Sequence, residues 1–230
     1  QKSYFELLGE ISKSFSTIVV TGTNGKSTTT AMLGLLLEAA GYDPTVLVGS
    51  LVPGFKDGNL RLGKGRFFVV EGCEYRANML NLEPEMIVLT NIEEDHLDFY
   101  RDLAHIQETF QTFVDKLQGK GLVVYNAMDV GTRALRFSRG VSYALDQSAD
   151  YIGRNRKTLQ GAQQVSVYRT EDQEIHLGDL TLSIPGAFNV MNALAAVSAA
   201  MELGVPFETC RRTLESFFGI WRRFERVGQW

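Results

Sequence analysis

Apolar residues along this chain fall into short runs separated by stretches with helical spacing. The runs at 17–21 (TIVVT), 45–48 (TVLV), 67–70 (FFVV), 86–90 (MIVLT), 122–125 (LVVY) and 141–145 (VSYAL) are brief and rich in β-branched residues. Runs of that kind read as buried strands. After the first, a Gly-rich turn leads into an Ala/Leu/Met-rich stretch ending at Ala40, with Gly41 placed to cap a helix. Helical periodicity also predicts elements at 104–117 and 127–137, and Gly119 and Gly121 punctuate the loop before LVVY. Strands alternating with helices predict an α/β fold on a mostly parallel sheet flanked by helices. From about 150 to 184 the pattern changes to short alternating segments, QVSVYR and EIHLGDLTLSI, which predict an appended antiparallel hairpin region. PGAFNVMNALAAVSAAMELG then reads as a turn and a long helix closed by Gly204 and Pro206, and a last helix is expected near 207–217. No internal repeat or linker interrupts the pattern, so residues 1–230 read as a single domain.

Composition narrows the partners. The net charge is −4 and there is no basic run, which argues against nucleic acid and against an anionic membrane surface. Phosphate binding must then come from a local site. Two cysteines, Cys73 and Cys210, make neither a disulfide framework nor a CxxC metal signature, and a cytoplasmic location is the expectation. No apolar stretch approaches the roughly 20 residues of a membrane helix.

The segment TGTNGKST, Thr21 to Thr28, sits where the first strand turns into the first helix. Backbone N–H groups of Gly22, Thr23, Asn24 and Gly25, with the helix N-terminus, suit phosphate oxygens there. Lys26 reaches terminal phosphates and the Ser27 hydroxyl suits Mg²⁺, with Thr28 beside them. The strict pattern GxxxxGK[ST] needs glycine at position 20, where this chain has Val20. The shorter TGTxGK[ST] pattern therefore carries the reading of a P-loop-type sheet.

Ligands of open α/β sheets collect outside the carboxyl ends of the strands. FFVV ends at Glu71 and MIVLT runs into Asn91-Ile92-Glu93-Glu94-Asp95-His96. With both strands parallel to the first, Glu71, His96 and the phosphate loop converge, and the acid and the imidazole suit a metal bridging nucleotide oxygens. Imidazole is an unusual Mg²⁺ ligand, so Mn²⁺ should be tolerated. The competing reading makes Glu71 a cap, His96 structural, and Asp95 and Asp98 caps of the next helix. Farther on, Asn189 and Asn192 share a helix face that suits either an adenine edge or a cap. Arg222 and Arg223 suit either phosphate or a solvated surface.

Together, TGTNGKSTTT, VVEGCEY, LTNIEEDHLDFY, PGAFNVMNALAA and FFGIWRRFERVG resemble the Mur ligase family, in this order and over nearly the whole chain. The nearest branch is the one that adds L-alanine to UDP-N-acetylmuramate, with the muropeptide-recycling branch close behind. The resemblance implies that Lys26 binds the β- and γ-phosphates of ATP, that Ser27, Glu71 and His96 serve Mg²⁺, that Asn189 contacts adenine and that Arg223 meets the phosphates. It also implies the reaction: ATP phosphorylates a substrate carboxylate, and the amine of an amino acid displaces the phosphate. The family's UDP-binding and amino-acid-binding domains lie on either side of such a domain and do not fit in 230 residues, so the fragment alone is expected to be inactive.

Departures from the family pattern are Asn24 where the alanine-adding branch has His, Ser27 for Thr, Phe188 for His, and EGCEYR for the more usual EADE. Phe110 stands where other branches place a lysine that becomes carbamylated, which favours the alanine-adding or recycling branches. Three rivals remain: a folylpolyglutamate-synthase-like ligase, a non-catalytic nucleotide-binding module, and a GTPase. The last would need NKxD, for which NAMD at 126–129 lacks the lysine.

Overall fold

A computed structural model describes residues 1–223. Ten strands form one sheet: β1 (Ser16–Thr21), β2 (Thr45–Leu47), β3 (Leu60–Arg61), β4 (Phe67–Gly72), β5 (Met86–Leu89), β6 (Leu122–Asn126), β7 (Gly140–Leu145), β8 (Tyr151–Leu159), β9 (Ala162–Thr170) and β10 (Glu174–Leu182). Their order across the sheet is β10-β9-β8-β7-β6-β5-β1-β4-β2-β3. From β2 to β8 all neighbours run parallel, while β3 at one edge and β9 and β10 at the other are antiparallel. The expected hairpin region is therefore a three-stranded meander continuous with the main sheet.

The helices are α1 (Tyr4–Ser12), α2 (Lys26–Ala39), α3 (Leu103–Asp115), α4 (Val130–Arg133), α5 (Ala187–Glu202) and α6 (Phe207–Glu215). They cover both faces, which is why the central strands read as unbroken apolar runs. Ile18 and Val20 of β1 point into one core with α2, α5 and α6. Val19 points into the other, with α3 and Leu8 of α1. Phe110 is fully buried in that second core, among Ile106, Phe113 and Tyr100.

Local signals account for several helix ends. Ser3 and Glu6 form a reciprocal capping box on α1. After α2, Gly41 takes φ 80° and donates to Glu38, while Tyr42 donates to Leu37, closing a Schellman turn. Asp102 caps α3 by accepting from His105 N–H, so neither Asp95 nor Asp98 does so. The expected helix at 127–137 is a single turn, α4. Its spacing suggested an apolar stripe, but Val130 is 69% exposed while Leu135 turns under the sheet. Asp129 starts that turn by accepting from Thr132 N–H. Periodicity gave no sign of α1, β3 or the pair of 3₁₀ turns at Tyr75–Asn81. Among the described residues no helix is long and apolar enough to cross a membrane.

Phe110→Ala should lower unfolding stability by about 3–5 kcal/mol, the usual range for emptying a buried aromatic site. Urea titration followed by circular dichroism measures it.

Candidate functional site

β1 lies between β4 and β5, with Thr21 level with Gly72 on one side and Leu89 on the other. The three strand ends therefore open on one crevice, and the sequence motifs that follow them meet there. Thr21 Oγ1 donates to Gly72 carbonyl and Thr90 N–H to Thr21 carbonyl, locking the ends together.

The turn after β1 requires its glycines. Gly22 has φ 137°, and a Cβ there would lie 2.2 Å from Thr90 Oγ1. Gly25 has φ 85°, and a Cβ there would lie 2.3 Å from Asn192 Oδ1. The loop is also braced by the segment after β5. Thr23 N–H donates to Asn91 carbonyl, Asn24 N–H to Asn91 Oδ1, and Glu93 N–H to Thr23 Oγ1, each at 2.9 Å. Asn91 and Glu93 thus shape the loop, a role their place in the sequence did not signal.

Lys26 opens α2, and its three ammonium protons have three acceptors: Gly22 carbonyl at 2.7 Å, Thr23 carbonyl at 2.8 Å and Glu74 Oε1 at 2.9 Å. Ser27 is buried in the same helical turn, and Thr28 borders the cleft beside it.

Of the two acids in EGCEY, Glu74 is the one brought to the lysine. Glu71, at the end of β4, accepts from Gly49 N–H at 2.8 Å and faces a groove lined by Tyr4 and Leu8 of α1. Glu74 is 4% exposed, and its Oε1 also lies 3.5 Å from His96 Nε2. Its Oε2 is buried without a hydrogen-bond partner among the described residues. Glu74, Asp95 and His96 each present one ligand atom, all within 4.8 Å of one another. Two carboxylates, one of them carrying that buried orphaned oxygen, and one imidazole fit a divalent cation. His96 sits in the left-handed region, φ 53°, with its ring 4.7 Å from that of Tyr75. Tyr75 in turn donates to Asp98. Beside them burial raises the Cys73 thiol pKa, which disfavours its reactive thiolate.

On the other side of the loop, a cleft of about 500 Å³ is bounded by Asn24, Lys26, Asn189, Arg222 and Arg223, with Phe188 at its mouth. Asn189 is 2% exposed, donates to Pro185 carbonyl at 2.6 Å and accepts from Asn192 at 3.3 Å. Arg222 lies over the Trp221 ring, and Trp221 N–H is tied to Leu51 carbonyl. The rest of that motif, FERVG at 224–228, lies outside the described residues. Within NAMD, Asp129 accepts from Ile92 N–H as well as capping α4, and Asn126, Met128 and Asp129 border a second cleft beside Asn24, Gly25 and Phe188. The arrangement can hold a polyphosphate at a helix N-terminus, a cation beside it, and an aromatic base at the cleft mouth.

The family model for the Mur ligase middle domain matches residues 20–200. UDP-N-acetylmuramate–L-alanine ligase of Geobacter sp. (strain M21) is 39% identical over 229 residues, covering 97% of this chain and 48% of that protein. The enzyme of the same name from Desulfitobacterium hafniense (strain Y51) is 38% identical, over 99% of this chain and 50% of that protein. Among solved structures, the UDP-N-acetylmuramate–alanine ligase of Thermotoga maritima superposes with a TM-score of 0.83 at 29% identity, over 98% of this chain and 50% of that one. A UDP-N-acetylmuramate:L-alanyl-γ-D-glutamyl-meso-diaminopimelate ligase from Neisseria meningitides gives 0.80 at 25%, over 98% and 71%. This chain spans about half the length of the curated relatives it matches. By sequence and by fold, it belongs to the Mur ligase middle-domain family.

Proposed function

We propose that this chain is the ATP-binding part of an amide-forming ligase that acts on a UDP-N-acetylmuramate-type carboxylate and an amino acid, L-alanine. The observation that carries the reading is Lys26, which heads α2 in a glycine loop braced by Asn91, between a carboxylate–imidazole cluster and the Asn189 cleft. Substrate and amine would bind through parts of the relatives that this chain does not span.

The reading assigns roles by position. Backbone N–H groups of residues 25–28 at the α2 N-terminus hold the phosphates, those of Thr23 and Asn24 being committed to Asn91, and Lys26 offsets charge on the transferring group. Arg223 at the cleft rim adds a planar donor fork suited to phosphate oxygens. Asn189 and Phe188 face the base. Ser27, Glu74, Asp95 and His96 are the residues available to Mg²⁺, which when bound supplies charge neutralisation at the phosphates, and Glu71 would have to leave Gly49 N–H to join them. The substrate carboxylate oxygen attacks the γ-phosphorus as the bond to ADP breaks. The amine nitrogen then attacks the acyl carbon, loses a proton, and inorganic phosphate leaves. Catalysis of this kind rests on positioning and electrostatics, which need water excluded from the crevice.

The decisive experiment is phosphate release by the intact ligase containing this chain, with UDP-N-acetylmuramate, ATP and Mg²⁺. Stimulation by L-alanine supports the reading; stimulation only by a preformed stem peptide transfers the chain to the recycling branch. Silence with every amine removes the ligase reading.

Lys26→Ala should weaken ATP binding about 100-fold or more and abolish phosphate release, since several charge-assisted bonds vanish together. Isothermal titration and a phosphate assay measure the two effects. His96→Ala and Glu71→Ala should raise the Mg²⁺ concentration for half-maximal activity, and an unchanged requirement in both would remove them from the metal site. The isolated 230-residue chain should form no amide, which mass spectrometry of the reaction mixture can check.

A further inference from the structure

Glu74 enters the reading above only as one of the residues available to Mg²⁺, yet it is the most constrained acid in the crevice. Its side chain is 5% exposed, one oxygen is shared by Lys26 and His96, and the other is buried with no partner among the described residues. A buried carboxylate with half its acceptor capacity unused is costly unless a cation completes it. Lys26 is equally engaged: two of its protons go to the carbonyls of its own loop and the third to Glu74. In that position the ammonium is turned toward the loop and the acid, and phosphate oxygens compete with three existing acceptors for it.

We propose, resting on the ATP-binding reading, that Glu74 is a cation-exchange carboxylate. Without nucleotide it holds the Lys26 ammonium; when ATP enters with a divalent cation, Glu74 joins Asp95 and His96 around the cation and releases Lys26 to the phosphates. Glu74, Asp95 and His96 already lie within one coordination sphere's reach of one another. Glu74 is also held from behind, because the Tyr100 hydroxyl donates to its carbonyl and Tyr100 is fully buried. His96 is set by its contact with Tyr75 and by a left-handed backbone that accepts a histidine more readily than a bulky residue. Two walls of the site are thus in place.

The exchange makes ATP and metal binding mutually dependent beyond the simple pairing of a cation with a polyphosphate. Without metal, Glu74 repels the phosphates and retains the lysine; with metal, both penalties disappear. Glu74→Gln removes both at once and leaves nothing to exchange.

Fluorescence titration of the full chain with an ATP analogue, first in EDTA and then in Mn²⁺, tests this. Relative to wild type, Glu74→Gln should bind about tenfold tighter in EDTA and lose about tenfold of the gain given by Mn²⁺, the size expected for one close charge pair. An unchanged or weaker affinity in EDTA, or an undiminished Mn²⁺ gain, overturns the proposal. Because Glu74 is buried, a second variant reads the exchange from the other side. Lys26→Gln, without nucleotide, should bind Mn²⁺ about tenfold tighter by electron paramagnetic resonance, since the acid no longer shares its charge. Equal or weaker Mn²⁺ binding by that variant also overturns it. Failure of the wild-type chain to bind ATP in Mn²⁺ would sink the ATP-binding reading itself, whereas normal binding with unaltered variants sinks only the exchange.

Discussion

A parallel strand can deliver its carboxyl end to a ligand only if its neighbours run the same way and both sheet faces are covered. Here that constraint acts on β1, held in register between β4 and β5 and buried on both faces by two separate cores. The glycine loop, the acids of EGCEY and the NIEEDH segment all leave the sheet at the same level, so their distances are set by strand spacing. Strands about 4.8 Å apart bring residues two or three positions beyond each end within hydrogen-bonding reach. Glu74 meets Lys26 and Asn91 braces Asn24 for this reason.

The second governing feature is a cation placed against a buried acid. Lys26 and Glu74 are both largely removed from water, so their pairing is structural as well as chemical. Removing one partner of such a pair commonly costs about 3–5 kcal/mol, because the other charge is stranded. The loop therefore holds its shape before any phosphate arrives. Gly22 and Gly25 reinforce this, since their positive φ and close neighbours leave no room for a side chain. Preformed N–H donors cost little reorganisation when an anion binds.

Residues that depart from the family pattern fall where the structure can absorb them. The Asn24 backbone, rather than its side chain, makes the closest contacts to Asn91, so a different side chain there leaves the loop path intact. Cys73 lies between two acids with different tasks, and its half-buried thiol, with its pKa raised by desolvation, adds no charge to the crevice. Phe188 presents an aromatic face at the cleft mouth, where a base can stack instead of accepting a hydrogen bond.

The one-dimensional pattern determined the parallel strands other than β8, most of the helices, the caps at Gly41 and Gly204, and the loop with its lysine. Those features are local: a run buried on both faces, a helical period, or a glycine where φ must be positive leaves a direct trace in residue order. Where periodicity misled, at 127–137, the apolar positions were spent on different surfaces, with Val130 left in solvent and Leu135 in the core. Both Glu71 and Glu74 were visible as acids beyond a strand, but nothing in their spacing distinguished them. The turn at Arg76 and Ala77, both left-handed, lies just beyond Glu74, and the Tyr100 hydroxyl on its carbonyl holds it. Which carboxylate faces Lys26, and whether His96 or a neighbour joins it, depends on contacts between segments tens of residues apart. Only the packed sheet decides those, because side-chain direction at a strand end is set by the neighbouring strands and the loops folded over them.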